Sequence, residues 1–208
     1  MDQEEKRQVP SLLKKILDLD VYLTKAFVNT FEKYVLIRQL QTHYKALEIS
    51  CHGIPWIALT LASIWIFHLT SLYQLQVNLF IGFLIDILLV TILKALTRRR
   101  RPAVNDDPFS IGPDKYSFPS GHASRCTFIV YYFLYLWPIS VIFTPSLLVW
   151  CTCVCLSRLL MRRHNILDVV VGIVLGILEG MFIGYLYLSQ DTCINLVTWI
   201  TNEKIDDV

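Results

Sequence analysis

Charged side chains vanish from long stretches of this chain. No Asp, Glu, Lys or Arg occurs between Glu48 and Asp86, and none between Arg125 and Arg158. A helix crossing a bilayer core needs about 20 apolar residues. The first gap supplies one span, roughly Gly53–Leu72, and a second runs from about Gln76 to Leu96 with Asp86 inside it. The next gap is too long for one span and is broken by Pro138 and Pro145. It is read as two spans, about Gly121–Trp137 and Phe143–Met161. A fifth runs from about Asn165 to Leu188 and encloses Glu179. Backbone in lipid must satisfy its hydrogen bonds internally, so the expected fold is an all-α, polytopic membrane helix bundle of about five spans. Residues 1–52 mix Lys and Glu with Leu, Ile, Phe and Tyr, the pattern of amphipathic helices lying on a membrane surface. Residues 53–188 then form the membrane domain, and 189–208 a short polar tail.

Composition narrows the class. The set AVILMFWYC makes up 54% of the 208 residues and DEKR 17%. Soluble domains carry about 25% charged residues, so this chain does not read as one. It is too apolar to be disordered and has neither a collagen nor a disulfide-scaffold composition. The expected partner is a lipid bilayer, and no nucleic-acid partner is expected. No basic-then-apolar leader with a cleavage site opens the chain, so no removable signal peptide is expected.

The net charge of +2 matters less than its distribution. Of the 19 Lys and Arg, eight lie in residues 1–52 and six from Lys94 to Lys115. Arg125 opens the third span, and Arg158, Arg162 and Arg163 sit between the fourth and fifth. The turns near 72–76 and 138–143 carry none. With five spans, every basic loop falls on one face, which the positive-inside rule assigns to the cytosol. The tail would face the other way. Cys151, Cys153 and Cys155 alternate within an apolar span, which matches neither a zinc nor a redox spacing. They read as small packing residues, and no metal site is expected.

Three clusters on the basic face could carry chemistry. Lys94 and Arg101 are seven residues apart, so on one helix they would share a face, with Pro102 stopping that helix. Such a pair could grip a phosphate or anchor anionic headgroups. Pro119-Ser120-Gly121-His122 opens the third span. Ser120 can cap that helix, Gly121 permits close backbone approach, and helix N-termini bind phosphate. Taken alone it reads more readily as a capped helix with a histidine. Ser157-Arg158 and His164-x3-Asp168 form the third cluster. A carboxylate four residues on could fix the imidazole tautomer, and Arg158 offers a planar fork of donors. Asp86 and Glu179 lie within spans with no basic partner in the same stretch. They read as protonated or hydrogen-bonded structural groups, or as support near Lys94.

Taken in order, K-x6-R-P, P-S-G-H and S-R-x5-H-x3-D resemble the three signatures of the type 2 phosphatidate phosphatase superfamily, the lipid phosphate phosphatases. The soluble vanadium haloperoxidases share similar signatures, but five apolar spans argue against that branch. Two further runs, Lys45–Trp56 and Asp114–His122, look like those of the animal polyisoprenoid (presqualene) diphosphate phosphatases. The resemblance implies His164 as nucleophile, Asp168 as its orienting partner and His122 as general acid and base. It also implies Lys94, Arg101, Ser120, Gly121 and Arg158 as phosphate-binding residues, with no cofactor and no metal. Isoprenoid diphosphates or monophosphates are the implied substrates. Phosphatidate, lysophosphatidate, sphingosine phosphate and dolichyl diphosphate are alternatives by the same chemistry. The implied location is the endoplasmic reticulum membrane and nuclear envelope, with the site facing the cytosol. A non-catalytic scaffold or a lipid transporter are the remote readings. A scaffold is expected to have lost His122, His164 or Asp168, and transport sites lie at the bilayer midplane.

Overall fold

The computed structural model describes residues 10–33, 41–103 and 115–201. Among them the structure is helical, and a single bridge between Arg100 and Tyr116 is the one strand-like pairing. The helices are α1 (Ser11–Phe31), α2 (Gln41–Ser50), α3 (Gly53–Phe67), α4 (Tyr73–Thr97), α5 (Gly121–Tyr131), α6 (Thr144–Leu160), α7 (Ile166–Leu186) and α8 (Gln190–Thr201). Five π-helical residues, Tyr132–Leu136, prolong α5. The expected all-α membrane bundle is what is found.

The span count is lower than five by length. Three described segments are long and apolar enough to cross a bilayer, Thr70–Thr97, Val141–Leu160 and Ile166–Leu186. A fourth arises if α2 and α3, bent by 51° at their junction, are taken as one broken span. The first expected span runs short because His68 turns left-handed at φ 41° and closes α3 at Phe67. The third is short because α5 has eleven residues, about 16 Å of α-helix, before the π segment. Its burial explains its composition. Ala123, Cys126, Phe128 and Tyr132 are fully buried, so α5 is the axis around which the others pack.

Glycine makes that packing close. On α7, Gly172 and Gly176 lie four residues apart and face α5. A Cβ on Gly172 would come within 2.6 Å of the Ser120 carbonyl oxygen, and one on Gly176 would meet that of Ser124. Small residues at one-turn spacing let membrane helices touch backbone to backbone, where packing must replace the missing hydrophobic drive. The result fixes the N-terminal ends of α5 and α7 side by side, and the Ser120 N–H donates to the Asp168 carbonyl at 3.0 Å.

The two ends of the chain are more integrated than their sequence suggests. Residues 190–201, at the start of the expected polar tail, form α8, which buries Cys193 and Val197 against Tyr73 and Val77 of α4. Residues 202–208 lie outside the described set. In α1 the exposed positions include Leu12, Leu13, Ile16, Leu19, Tyr22 and Leu23, whereas Asp20 and Thr24 are buried. The apolar face points away from the protein, as suits a helix seated in a membrane surface.

Candidate active site

The third cluster is built by a turn, not by a helix face. Arg162 takes a left-handed backbone, φ 55°, and ends the chain's run out of α6. Asn165 is then the N-cap of α7 and Asp168 its third residue, in a reciprocal capping box. Asp168 Oδ2 accepts the Asn165 N–H at 2.8 Å. His164 therefore precedes the helix, and its closeness to Asp168 comes from the cap and not from helical spacing.

The expected orienting bond is made by a different group. His164 Nδ1 donates to the Ser117 carbonyl at 2.7 Å, while Asp168 Oδ2 lies 3.9 Å from it. A carbonyl only accepts, so Nδ1 carries the hydrogen and Nε2 keeps its lone pair. Asp168 instead holds Arg99, whose Nη1 lies 2.6 Å from Oδ1. At 3.9 Å its carboxylate stands beside the His164 ring without taking the Nδ1 bond.

The first cluster is likewise rearranged. Helix α4 ends at Thr97, because Arg98 turns left-handed at φ 50° and its N–H caps the Lys94 carbonyl. Pro102 comes four residues too late to stop it, and Arg101 lies beyond the helix rather than on the Lys94 face. The two cations nevertheless converge. Burial, then the charges of Arg101, Lys94 and Arg158, holds His164 well below the usual 6.5 of an imidazole. His164 is therefore neutral at physiological pH, with the charges of three cations acting on its ring.

The second cluster behaves as its sequence indicates. Ser120 is the N-cap of α5, its hydroxyl accepting the Ala123 N–H at 3.4 Å. Gly121 follows, and His122 sits in the first turn. His122 Nε2 donates to the Glu48 carbonyl at 3.2 Å, and its ring lies within electrostatic reach of Arg158, Arg125, His164 and Lys94. All eight sequence-derived residues thus meet at one end of the bundle.

Several neighbours were not evident in the motifs. Arg158 is fully buried and donates from Nη1 to Glu48 Oε1 at 2.9 Å and from Nε to Ser157 Oγ at 3.2 Å. Glu48 also lies 3.5 Å from Arg163. A buried guanidinium needs such a partner, and the partner comes from α2, in the region read as interfacial. Asp86 has a cation after all. Arg125 of α5 approaches it at 2.6 Å, and Glu179 lies within reach of both. The spans chosen one at a time hid this pairing, because Arg125 comes from a third helix.

Among the described residues, one group of His, Cys, Asp or Glu has ligand atoms close enough to share an ion. These are the sulfurs of Cys126, Cys151 and Cys155, within 4.8 Å of one another. They hydrogen-bond among themselves at 3.3 and 3.7 Å. Structural zinc sites use four ligands, and this group offers three inside an apolar layer. The histidine and cation cluster does not draw on it.

The protein is thus a helical membrane bundle in which two histidines, several cations and two helix N-termini come together at one end. The PAP2 superfamily model matches residues 75–191, more than half of the chain, and the protein belongs to that superfamily. The chain is 35% identical over 129 residues to the probable lipid phosphate phosphatase beta of Arabidopsis thaliana, covering 49% of this chain and 61% of that protein. It thus spans about three fifths of the length of this curated relative. The crystal structure of Aquifex aeolicus LpxE superposes with a TM-score of 0.58 at 19% identity, covering 79% of this chain and 94% of that one. At that identity the likeness concerns the fold.

Proposed function

We propose that this protein is an integral-membrane, metal-independent phosphohydrolase acting on isoprenoid diphosphates and monophosphates. The observation that carries the reading is His164, fixed through Nδ1 on the Ser117 carbonyl with Nε2 left as a neutral nucleophile among Lys94, Arg101 and Arg158. Nε2 attacks phosphorus, an N–P bond forms, and the P–O bond to the leaving group breaks. His122, protonated once the phosphate anion lies beside it, gives that proton to the leaving oxygen and becomes neutral. Water then attacks the phosphohistidine, His122 takes a proton from it, and the N–P bond breaks to release phosphate and neutral His164. Phosphoryl transfer spreads charge over three equatorial oxygens, so positioning and cations do most of the work. Lys94, Arg101 and Arg158 supply the charge, Ser120 and Gly121 the helix-end groups, and Asp168 steadies the charge that builds on His164.

The isoprenoid substrate is favoured by Lys45–Trp56 and Asp114–His122, although 104–114 lies outside the described residues. The basic bias toward the end that carries the site favours a cytosol-facing site in the endoplasmic reticulum membrane and nuclear envelope, open to a water-soluble prenyl diphosphate. The second reading is the same chemistry on phosphatidate, lysophosphatidate, sphingosine phosphate or dolichyl diphosphate, supported by the relative's name. Phosphate release by purified protein, with EDTA present, separates the two. Farnesyl diphosphate is expected to outperform the glycerol and sphingoid phosphates. A preference for phosphatidate would overturn the isoprenoid assignment and leave the chemistry standing.

A further inference from the structure

Helix α1 grips the turn that carries His164 from both sides. Its buried residues are Asp20, Thr24 and Val28, and the two polar ones are spent on α7. Asp20 Oδ1 accepts the Leu167 N–H at 2.9 Å, and Thr24 Oγ1 accepts the Ile166 N–H at 3.0 Å. These are two of the four donors that a helix start leaves unsatisfied within itself. On the other side of the turn, Arg162 donates to Glu32 Oε2 at 2.9 Å and to Asn29 Oδ1 at 3.3 Å. A membrane-surface helix needs none of these contacts to bind lipid, since its apolar face points the other way.

Asp20 also reaches the reacting histidine through Arg99. The Arg99 fork places Nη2 at 2.6 Å from Asp20 Oδ2 and Nη1 at 2.6 Å from Asp168 Oδ1. The Arg99 carbonyl accepts the Ser117 N–H at 2.8 Å, and the Ser117 carbonyl accepts His164 Nδ1 at 2.7 Å. One residue thus holds Asp168 by its side chain and His164 by its backbone, and Asp20 is the second anchor of its guanidinium. A planar, bidentate donor held at both ends has little freedom to swing. Released at one end, it would let both residues drift. Misplacements of about 1 Å arising away from the chemistry can cost about 100-fold in rate.

We propose that α1 is part of the phosphate-cleaving site, with Asp20 as a positioning residue that fixes His164 and Asp168 through Arg99. This rests on the phosphohydrolase reading above. The test uses the full chain in lipid nanodiscs with farnesyl diphosphate and phosphatidate as probes. Asp20→Asn keeps an oxygen for the Leu167 N–H but removes the charge that holds Arg99, so it separates positioning from capping. We expect kcat to fall about 10- to 100-fold in Asp20→Asn and Asp20→Ala, with KM within about threefold and part of the loss recovered in Asp20→Glu. Asp18→Ala, on the exposed side of α1, serves as the unchanged control. A kcat within about twofold of wild type in folded Asp20→Asn overturns the proposal.

A second readout needs no turnover. The Nδ1 proton of His164, shared with a carbonyl, should give a downfield ring signal that His164→Ala removes. It is expected to persist in Asp18→Ala and to broaden by solvent exchange in Asp20→Asn. If it is unchanged in Asp20→Asn, the positioning role is wrong. If wild-type protein releases no phosphate from any probe while the signal behaves as expected, the functional reading fails and the Asp20 linkage stands.

Discussion

His164 shows how one bond sets the chemistry of a residue. Its Nδ1 hydrogen is fixed by the Ser117 carbonyl, and burial with three neighbouring cations disfavours the imidazolium. The free-enzyme acid limb of kcat/KM reports such a group. We expect that limb below pH 6.5, and we expect Arg101→Gln, which removes the first of those cations, to move it upward. A wild-type limb at or above 6.5 would contradict the environment described here. The same shift has a stability consequence. The unfolded chain protonates His164 near its ordinary value, while the folded chain resists. Stability is therefore held above about pH 6.5 and declines as pH falls below it. The motif spacing revealed which histidines, arginines and lysine meet. It did not reveal that a backbone carbonyl rather than Asp168 holds the ring, because a main-chain acceptor leaves no residue-type signal.

At the scale of elements, helix ends position the site. Helices α5 and α7 start side by side because glycines on α7 admit the α5 backbone. Gly176→Ala would press a methyl group into the Ser124 carbonyl, and overpacking of this kind costs about 1–3 kcal/mol. Gly184→Ala meets only the terminal methyl of Leu136, at 3.0 Å, which can turn aside. Unfolding in detergent micelles should show Gly176→Ala clearly less stable than wild type and Gly184→Ala close to it. Equal effects would mean that the two helices are not held by this contact. The charge-free runs showed where the apolar helices lie, whereas the residues that stop them were not legible. Helices α3 and α4 end on His68 and Arg98 in left-handed conformations, which neither residue type advertises. Residues 1–52 were legible as amphipathic, but the docking of Asp20 and Thr24 on α7 was not. The Asp20 and Thr24 pair, one turn apart, was the available sign of a second docking face.

At the scale of the molecule, the contacts that finish the site join distant parts of the chain. Glu48 meets Arg158 across 110 positions, and Asp20 meets Arg99 across 79. Local spacing cannot show such pairs, which explains why the candidate-site motifs were readable and their supports were not. The distribution of cations is a property of the same scale. It predicts that Lys115→Cys, exposed near the site, reacts with a membrane-impermeant maleimide in sealed microsomes without detergent. Labelling that requires permeabilisation would reverse the proposed facing.

In the proposed reaction His164 carries the phosphoryl group. The direct measurement is rapid acid-free quenching after mixing with substrate labelled at the terminal phosphate, followed by mapping of the labelled peptide. Alkali-stable, acid-labile phosphate is expected on His164, present with EDTA. Label and turnover are both expected to be lost in His164→Ala, turnover by at least about 10³-fold. Turnover that survives His164→Ala, or label found on another residue, would contradict that role.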